Sequence, residues 1–223
     1  MTGTLSKYAK KCFLAFLFAG NSLAYAGSFE DFFDAIKHDN AVRVSELLAR
    51  GFDANTTDPK GQTGLYIALR EPSPKSAHVL IDWPKTDANQ LNAQGESILM
   101  LAALKGQLEL AVKLIKKGAD VNKTGWTPLH YAASSGNTAL IGLLLENSAY
   151  IDAESPNGST PLMMASMYGS VASVNLLLQE GADPNLKNQQ GLTALDFAQR
   201  GKRPDSIEAI AAAIRNKRPI GRW

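Results

Sequence analysis

Apolar positions in this chain come in short bursts that switch on and off at a regular interval. Residues 158–191 show the unit. Leu162–Tyr168 is an apolar run of about two helical turns, and Gly169 ends it, as a glycine past a helix end does. Thr160 stands at the cap position and Pro161 at the first helical position, where a missing N–H costs nothing. Ser170–Glu180 then predicts a second helix, with Val171, Val174, Leu177 and Leu178 spaced for one buried face. Gly181 stops that helix, and Ala182-Asp-Pro-Asn185 leads through a turn-rich link to Gly191. The pattern opens five times, at Gly61-Gln-Thr-Gly-Leu, Gly95-Glu-Ser-Ile-Leu, Gly125-Trp-Thr-Pro-Leu, Gly158-Ser-Thr-Pro-Leu and Gly191-Leu-Thr-Ala-Leu, with steps of 34, 30, 33 and 33 residues. A period near 33 means stacked units, none of which can bury its apolar face alone.

Gly125-Trp-Thr-Pro-Leu-His-Tyr-Ala-Ala133 carries a complete Thr-Pro-Leu-His-x-Ala motif, and Gly158-Ser-Thr-Pro-Leu-Met-Met-Ala165 departs from it only at the His. On these residues the chain resembles the ankyrin-repeat family. The resemblance implies an all-α solenoid of helix-turn-helix units with β-hairpin-like fingers, about six repeats including caps. Ala68, Ala102, Ala132, Ala165 and Ala198 hold one register, and Ala35 extends it back to an N-terminal unit. The expected boundaries are 28–57 for an N-cap repeat, 58–91, 92–124, 125–157 and 158–190 for inner repeats, and 191–215 for a C-cap repeat ending in a helix Ser206–Ile214. Glu30, Asp31 and Asp34 give the first helix the wet outer face of a cap.

Two departures from the period stand out. Asn122 to Gly125 is three positions where the other links span six, so a finger lacks three residues just before Trp126. In the second unit Glu71-Pro-Ser-Pro-Lys75 replaces the mid-repeat glycine, and its two prolines end one helix and stiffen the turn.

Composition adds an address. Lys7, Lys10 and Lys11, the apolar run Phe13–Gly20 and the ending Ala24-Tyr25-Ala26 form a cleavable signal peptide over residues 1–26. Its removal takes 3 of 23 cations and none of the 21 acids, leaving a net charge of −1, which argues against general nucleic-acid binding. The single cysteine, Cys12, lies inside that segment, so the mature chain is expected to have neither thiol nor disulfide and no integral membrane segment. Arg200–Trp223 holds seven cations against two acids, and residues 216–223 form a basic tail that reads as a solvated terminus or as a lure for an anionic partner or membrane surface.

The chemistry candidates reduce to structural ones. His130 fills the family's own His slot, where the resemblance implies a hydrogen bond to the neighbouring finger, and Thr127, Pro128, Thr160 and Pro161 are helix-opening motif residues. His38 and His78 have no ligand-type spacing to it, so no metal is expected, and Met163, Met164 and Met167 read as core filler. Asp87, Asp120 and Asp183 recur at one repeat position as hairpin stabilisers. Serines lack a His–Asp set, phosphate loops are absent, and neither cofactor nor enzymatic activity is expected.

Family resemblance assigns partner contacts to the residue after each opening glycine and the pair before each mid-repeat glycine. Carried over, these are Gln62, Glu96, Trp126, Ser159 and Leu192, with Leu104-Lys105, Ser134-Ser135 and Met167-Tyr168. Trp126, Met167 and Tyr168 are expected at the centre of a protein-binding patch, because Trp and Tyr dominate interface energetics. The alternative is that Trp126 folds back into the notch of its own array. The resulting expectation is a monomeric periplasmic scaffold, accessory or immunity protein to another exported protein such as an enzyme or toxin. The resemblance includes exported bacterial ankyrin proteins of both kinds, one encoded beside a periplasmic catalase. The second reading is a secreted effector that binds a host protein.

Overall fold

The computed structural model describes residues 27–217, so the expected signal peptide (1–26) and most of the basic tail (218–223) lie outside the described residues. The chain divides into two compact units, the first ending at Thr86 and the second beginning at Asp87.

In the first unit, helix α1 covers residues 27–37, followed by α2 (Ala41–Ala49), α3 (Gly64–Arg70) and α4 (Pro74–Asp82). Phe32 and Ile36 of α1 are fully buried, while Glu30 and Asp34 face water, as expected of a cap. Asp31 is held by the Arg43 guanidinium of α2, whose hydrogen bond keeps the carboxyl below its usual range. Arg43 also reaches Glu46 at 2.9 Å. The two prolines behave as read: α3 stops at Arg70 and Pro74 starts α4 at its first position. Asp39, in the left-handed region at φ 51°, caps α4 from outside, its carboxylate accepting from Ser76 N–H at 2.8 Å.

In the second unit α5 (Ile98–Leu104), α7 (Pro128–Ser135), α9 (Pro161–Tyr168) and α11 (Ala194–Arg200) stack as one layer. Their partners α6 (Leu108–Lys116), α8 (Thr138–Glu146), α10 (Val171–Gln179) and α12 (Pro204–Lys217) form the second. The core lies between the layers. Leu140, Ile141 and Leu144 of α8 are fully buried, each worth roughly 1.5–3 kcal/mol relative to exposure. The last helix is longer than the expected Ser206–Ile214 because Pro204 initiates it two residues earlier and it continues to Lys217. On α10, Val174 and Leu177 are buried as predicted, but Val171 and Leu178 are only half-buried. Ser173 takes the remaining buried place, its hydroxyl donating to Ser170 C=O and accepting from Ser170 N–H.

The mid-repeat glycines act differently from one another. Gly136 caps α7 in the left-handed region at φ 70°, as a helix-stop glycine should. Gly169 does not: its φ is −79°. A Cβ there would lie 2.4 Å from the Ala133 carbonyl oxygen of the preceding repeat, so glycine is required by close approach between repeats.

Candidate protein-binding surface

Each full-length finger is a five-residue turn. The residue three before the opening glycine donates its N–H to the carbonyl two steps past its tip: Asn92 to Glu96 at 3.0 Å, Ser155 to Ser159 at 2.9 Å and Asn188 to Leu192 at 3.0 Å. The side chain of the opening residue accepts inside the loop, as Asn92 Oδ1 does from Gln94 and Glu96 N–H. Pairing rarely goes further; Leu91 and Ser97 form an isolated antiparallel bridge. Three residues upstream sits a second device. Asn89 donates through Nδ2 to Gly118 C=O at 2.9 Å and accepts from Asp120 N–H at 2.6 Å, clipping one repeat to the next. The preceding aspartates hold these clips in shape, with Asp87, Asp120 and Asp183 each accepting the N–H two residues on, so they brace the clips where the sequence suggested hairpin support.

In the short finger the two devices collapse onto one residue. Asn122 stands three before Gly125, where the turn should open, and is also the clip, donating to Ser148 C=O at 2.7 Å and accepting from Tyr150 N–H at 2.8 Å. Committed to the neighbouring repeat, it does not open a turn, and Trp126 follows without a complete turn before it.

Behind Trp126 the motif residues form a tight unit. The Thr127 N–H and Oγ1 approach His130 Nδ1 at 3.2 and 2.9 Å, and His130 Nε2 lies 2.9 Å from Ser159 C=O. A backbone N–H can only donate, so Nδ1 accepts and Nε2 carries the proton. This is the bond to the neighbouring finger that the family resemblance implies. Burial (1 % exposed) pushes the His130 pKa down to about 4. Thr160 repeats the cap with Met163 in place of the His, and Pro128 and Pro161 both begin their helices.

Trp126 folds back edge-on against the His130 ring, centroids 5.2 Å apart, and stays half-buried. With His130, Tyr131, Ser134 and Met164 it lines an open recess of about 180 Å³. Tyr131 and Met164 were not predicted as contacts. They occupy the position before the signature alanine, where Leu101 is buried but Tyr131, Met164 and Phe197 are only half-buried. Large side chains at that register were the available signal. The Tyr131 hydroxyl donates to Glu96 Oε1 at 2.9 Å, which brings the predicted Glu96 to the edge of this recess.

The other predicted contacts are spread. Ser134 lines the recess, its Oγ donating to His130 C=O at 2.8 Å. Ser135 is exposed but donates to Ala103 and Ala132 C=O. Leu104 and Lys105 are exposed at the end of α5. Met167 and Tyr168 lie a turn further along α9 than Met164, outside the recess, with Tyr168 57 % exposed. Ser159 is a correction: it is 1 % exposed, its N–H donating to Ser155 Oγ and its carbonyl taken by His130, so it offers a partner no side chain. Among the described residues no group of three or more His, Cys, Asp or Glu is placed to hold a metal, and no helix is long and apolar enough to cross a membrane.

The family model for ankyrin repeats matches residues 32–124, 69–155, 113–188 and 143–218. The fold is similar to an ankyrin repeat domain from Acinetobacter baumannii, at TM-score 0.71 and 26% identity over 82% of this chain and 96% of that one. It is equally similar to a chain of the complex between a predatory endopeptidase and an immunity protein from Bdellovibrio bacteriovorus. That match has TM-score 0.71 and 27% identity over 82% of this chain and 97% of that one. In sequence it is 33% identical over 107 residues to an ankyrin repeat and SAM domain-containing protein of Rattus norvegicus, across 46% of this chain and only 12% of that protein. The chain thus spans a small part of the curated relatives it matches. With a matching family model over most of its length and the repeat geometry just described, the chain belongs to the ankyrin-repeat family.

Proposed function

We propose that this chain is a non-catalytic protein-binding scaffold that works in the periplasm, as accessory or immunity protein to another exported protein. The likeness to a chain of the endopeptidase–immunity protein complex, over nearly all of that chain, carries the reading. The ankyrin fold is in general a binding scaffold and not a catalyst. The export half is supported by the basic-apolar-small pattern of residues 1–26, and the mature array is then taken as 28–215. Bacterial origin is supported by the bacterial structural neighbours. The binding face is the finger and first-helix side of the second unit, with Trp126, Tyr131, Met164, Leu104 and Tyr168 as its apolar part.

Fractionation and crosslinking in cells test the reading. The periplasmic fraction is expected to hold a chain that begins at Gly27, crosslinked to one exported protein. Trp126→Ala and Tyr168→Ala are expected to lose that partner while helix content stays unchanged. A chain retained in the cytosol with residues 1–26 attached would sink the export half. A partner captured equally well by both variants would sink the surface.

A further inference from the structure

We propose that the cavity at the start of α12 is a binding site for a phosphate group, either free phosphate or a phosphate monoester. The cavity has a volume of about 380 Å³ and is lined by Ser170 from α10 and by Lys202, Arg203, Asp205 and Ser206. Register shows how this place differs from its counterparts. Four residues past Ala102, Ala132 and Ala165 the chain has Gly106, Gly136 and Gly169, each followed by a neutral polar residue. Four residues past Ala198 it has Lys202, followed by Arg203. Lys202 keeps the left-handed backbone of Gly106 and Gly136, with φ 53° against 72° and 70°, so a cation stands at a position that favours glycine.

The same exchange removes a helix cap. In α2, α8 and α10 the N–H eight residues past the register alanine is taken by a side chain three residues before it: Arg43 by Asn40, Leu140 by Asn137 and Ser173 by Ser170. In α4 a carboxylate from outside the helix, Asp39, takes the Ser76 N–H at 2.8 Å, so an anionic oxygen already fits this register. In α12 that N–H belongs to Ser206, and the capping position holds Arg203, whose side chain has donors only. Ser206 lines the cavity yet is 1 % exposed, and among the described residues neither its N–H nor its hydroxyl has a hydrogen-bond partner. Arg203 donates to the Gly169 carbonyl, which holds its guanidinium at the wall with further N–H groups to spare. The uncapped helix start, the Ser206 hydroxyl, the Lys202 ammonium and the guanidinium therefore all call for an anion. Donors of this number and variety suit the several oxygens of a phosphate better than the two coplanar oxygens of a carboxylate. Asp205 is the single acid in the lining and is outnumbered by two cations.

The test follows the Ser206 amide resonance of the full chain as purified from cells, in phosphate-free buffer at constant ionic strength. The probes are inorganic phosphate, glycerol 3-phosphate and acetate. Phosphate is expected to shift that amide saturably, with a dissociation constant roughly millimolar, and acetate to bind about tenfold less tightly. Lys202→Gly restores the register glycine, so helix content and urea midpoint are expected to hold while phosphate affinity falls about tenfold. Ser206→Ala is expected to weaken binding as well, and Asp205→Asn, which removes the opposing acid, to tighten it. Glycerol 3-phosphate bound as tightly as inorganic phosphate would make the ligand a monoester; its rejection beside a phosphate response would make the ligand the free ion. The absence of a saturable shift, an equal response to acetate, or an affinity unchanged in both Lys202→Gly and Ser206→Ala would overturn the proposal. Because neither export nor a protein partner enters this measurement, its failure is separable from failure of the scaffold reading.

Discussion

The finger before Ser159 and the finger before Trp126 solve the same problem with opposite strengths. The longer one has a complete turn, with Ser155 donating its N–H to Ser159 C=O and accepting from Ser159 N–H through Oγ. Its clip is incomplete. Asp152 stands where the other inner repeats have Asn, and its carboxylate accepts from Asp183 N–H at 3.2 and 3.3 Å but has no amide with which to donate to the next repeat. The shorter finger has no turn but a complete clip at Asn122. Turn and clip are thus separable devices: one shapes the tip, the other joins repeats. A deletion between them is tolerated because it removes the tip and spares the joint.

The largest effect should come from beneath both fingers, in the first-helix layer. Gly169→Ala would set a Cβ 2.4 Å from the Ala133 carbonyl oxygen and 2.8 Å from Ser173 Oγ. The first of these is backbone and cannot swing away. Overpacking of this kind typically costs 1–3 kcal/mol and here is expected to exceed about 3 kcal/mol, read as a shift of the urea midpoint. A cost below about 1 kcal/mol would mean the repeats are held mainly by their fingers.

His130 ties the longer finger to the helix layer by a hydrogen bond and meets the shorter one only through its ring contact with Trp126, so acid should separate them. Its folded pKa, about 4, lies below its unfolded value of 6.5. The unfolded chain binds the proton more readily, so this contribution is complete above pH 6.5, falls as pH drops, and is gone below pH 4. The slope reaches at most about 1.4 kcal/mol per pH unit, and roughly 2–3 kcal/mol is lost across the window. Denaturant titrations at pH 7 and pH 4 should show the loss in the wild type and a smaller one in His130→Ala. Amide exchange should rise at Ser159 before it rises at Asn122. Equal acid sensitivity in the variant would show that other groups set the pH dependence.

The clips can be exchanged. Asn122→Asp removes the amide that donates to Ser148 C=O and is expected to cost about 1 kcal/mol. Asp152→Asn restores the missing donor and is expected to gain somewhat less, about 0.5 kcal/mol. If both substitutions destabilise, Asp152 is not a deficient clip but a fitted one.

These devices were unequally legible in the sequence. Caps, helix starts and the repeat register are short-range, so Thr160, Pro161, Pro74 and the alanine ladder announced themselves. The missing three residues were countable, and the recurring aspartates were visible as a repeat feature, though they brace the clips and not the hairpins. What the clip residues touch was not, because Asn89 to Gly118 and Asn122 to Ser148 are contacts about one repeat apart that exist only once repeats stack. The same reason hid the burial of Ser159, which the family pattern placed at a contact position, and the close approach that requires Gly169, which the sequence read only as a helix stop. Glu96 and Trp126 were singled out separately, yet nothing local joins them; Tyr131, 35 residues from Glu96, does that.

The smallest expected change in stability is the most informative. Inserting three residues between Lys123 and Thr124, copied as Glu154-Ser155-Pro156 from the next finger, would rebuild the period and give the clip and the turn separate residues. Loop closure changes little with a few residues, so stability should move by less than about 1 kcal/mol. Trp126 would then follow a complete turn, as Glu96 and Ser159 do. Its indole should become less accessible to a quencher as that turn forms. Stability and access would then have come apart, as separable devices require. A large stability change in either direction would instead mean that the short finger is packed as a unit with Trp126, and that its length is set by the fold and not by what the recess receives.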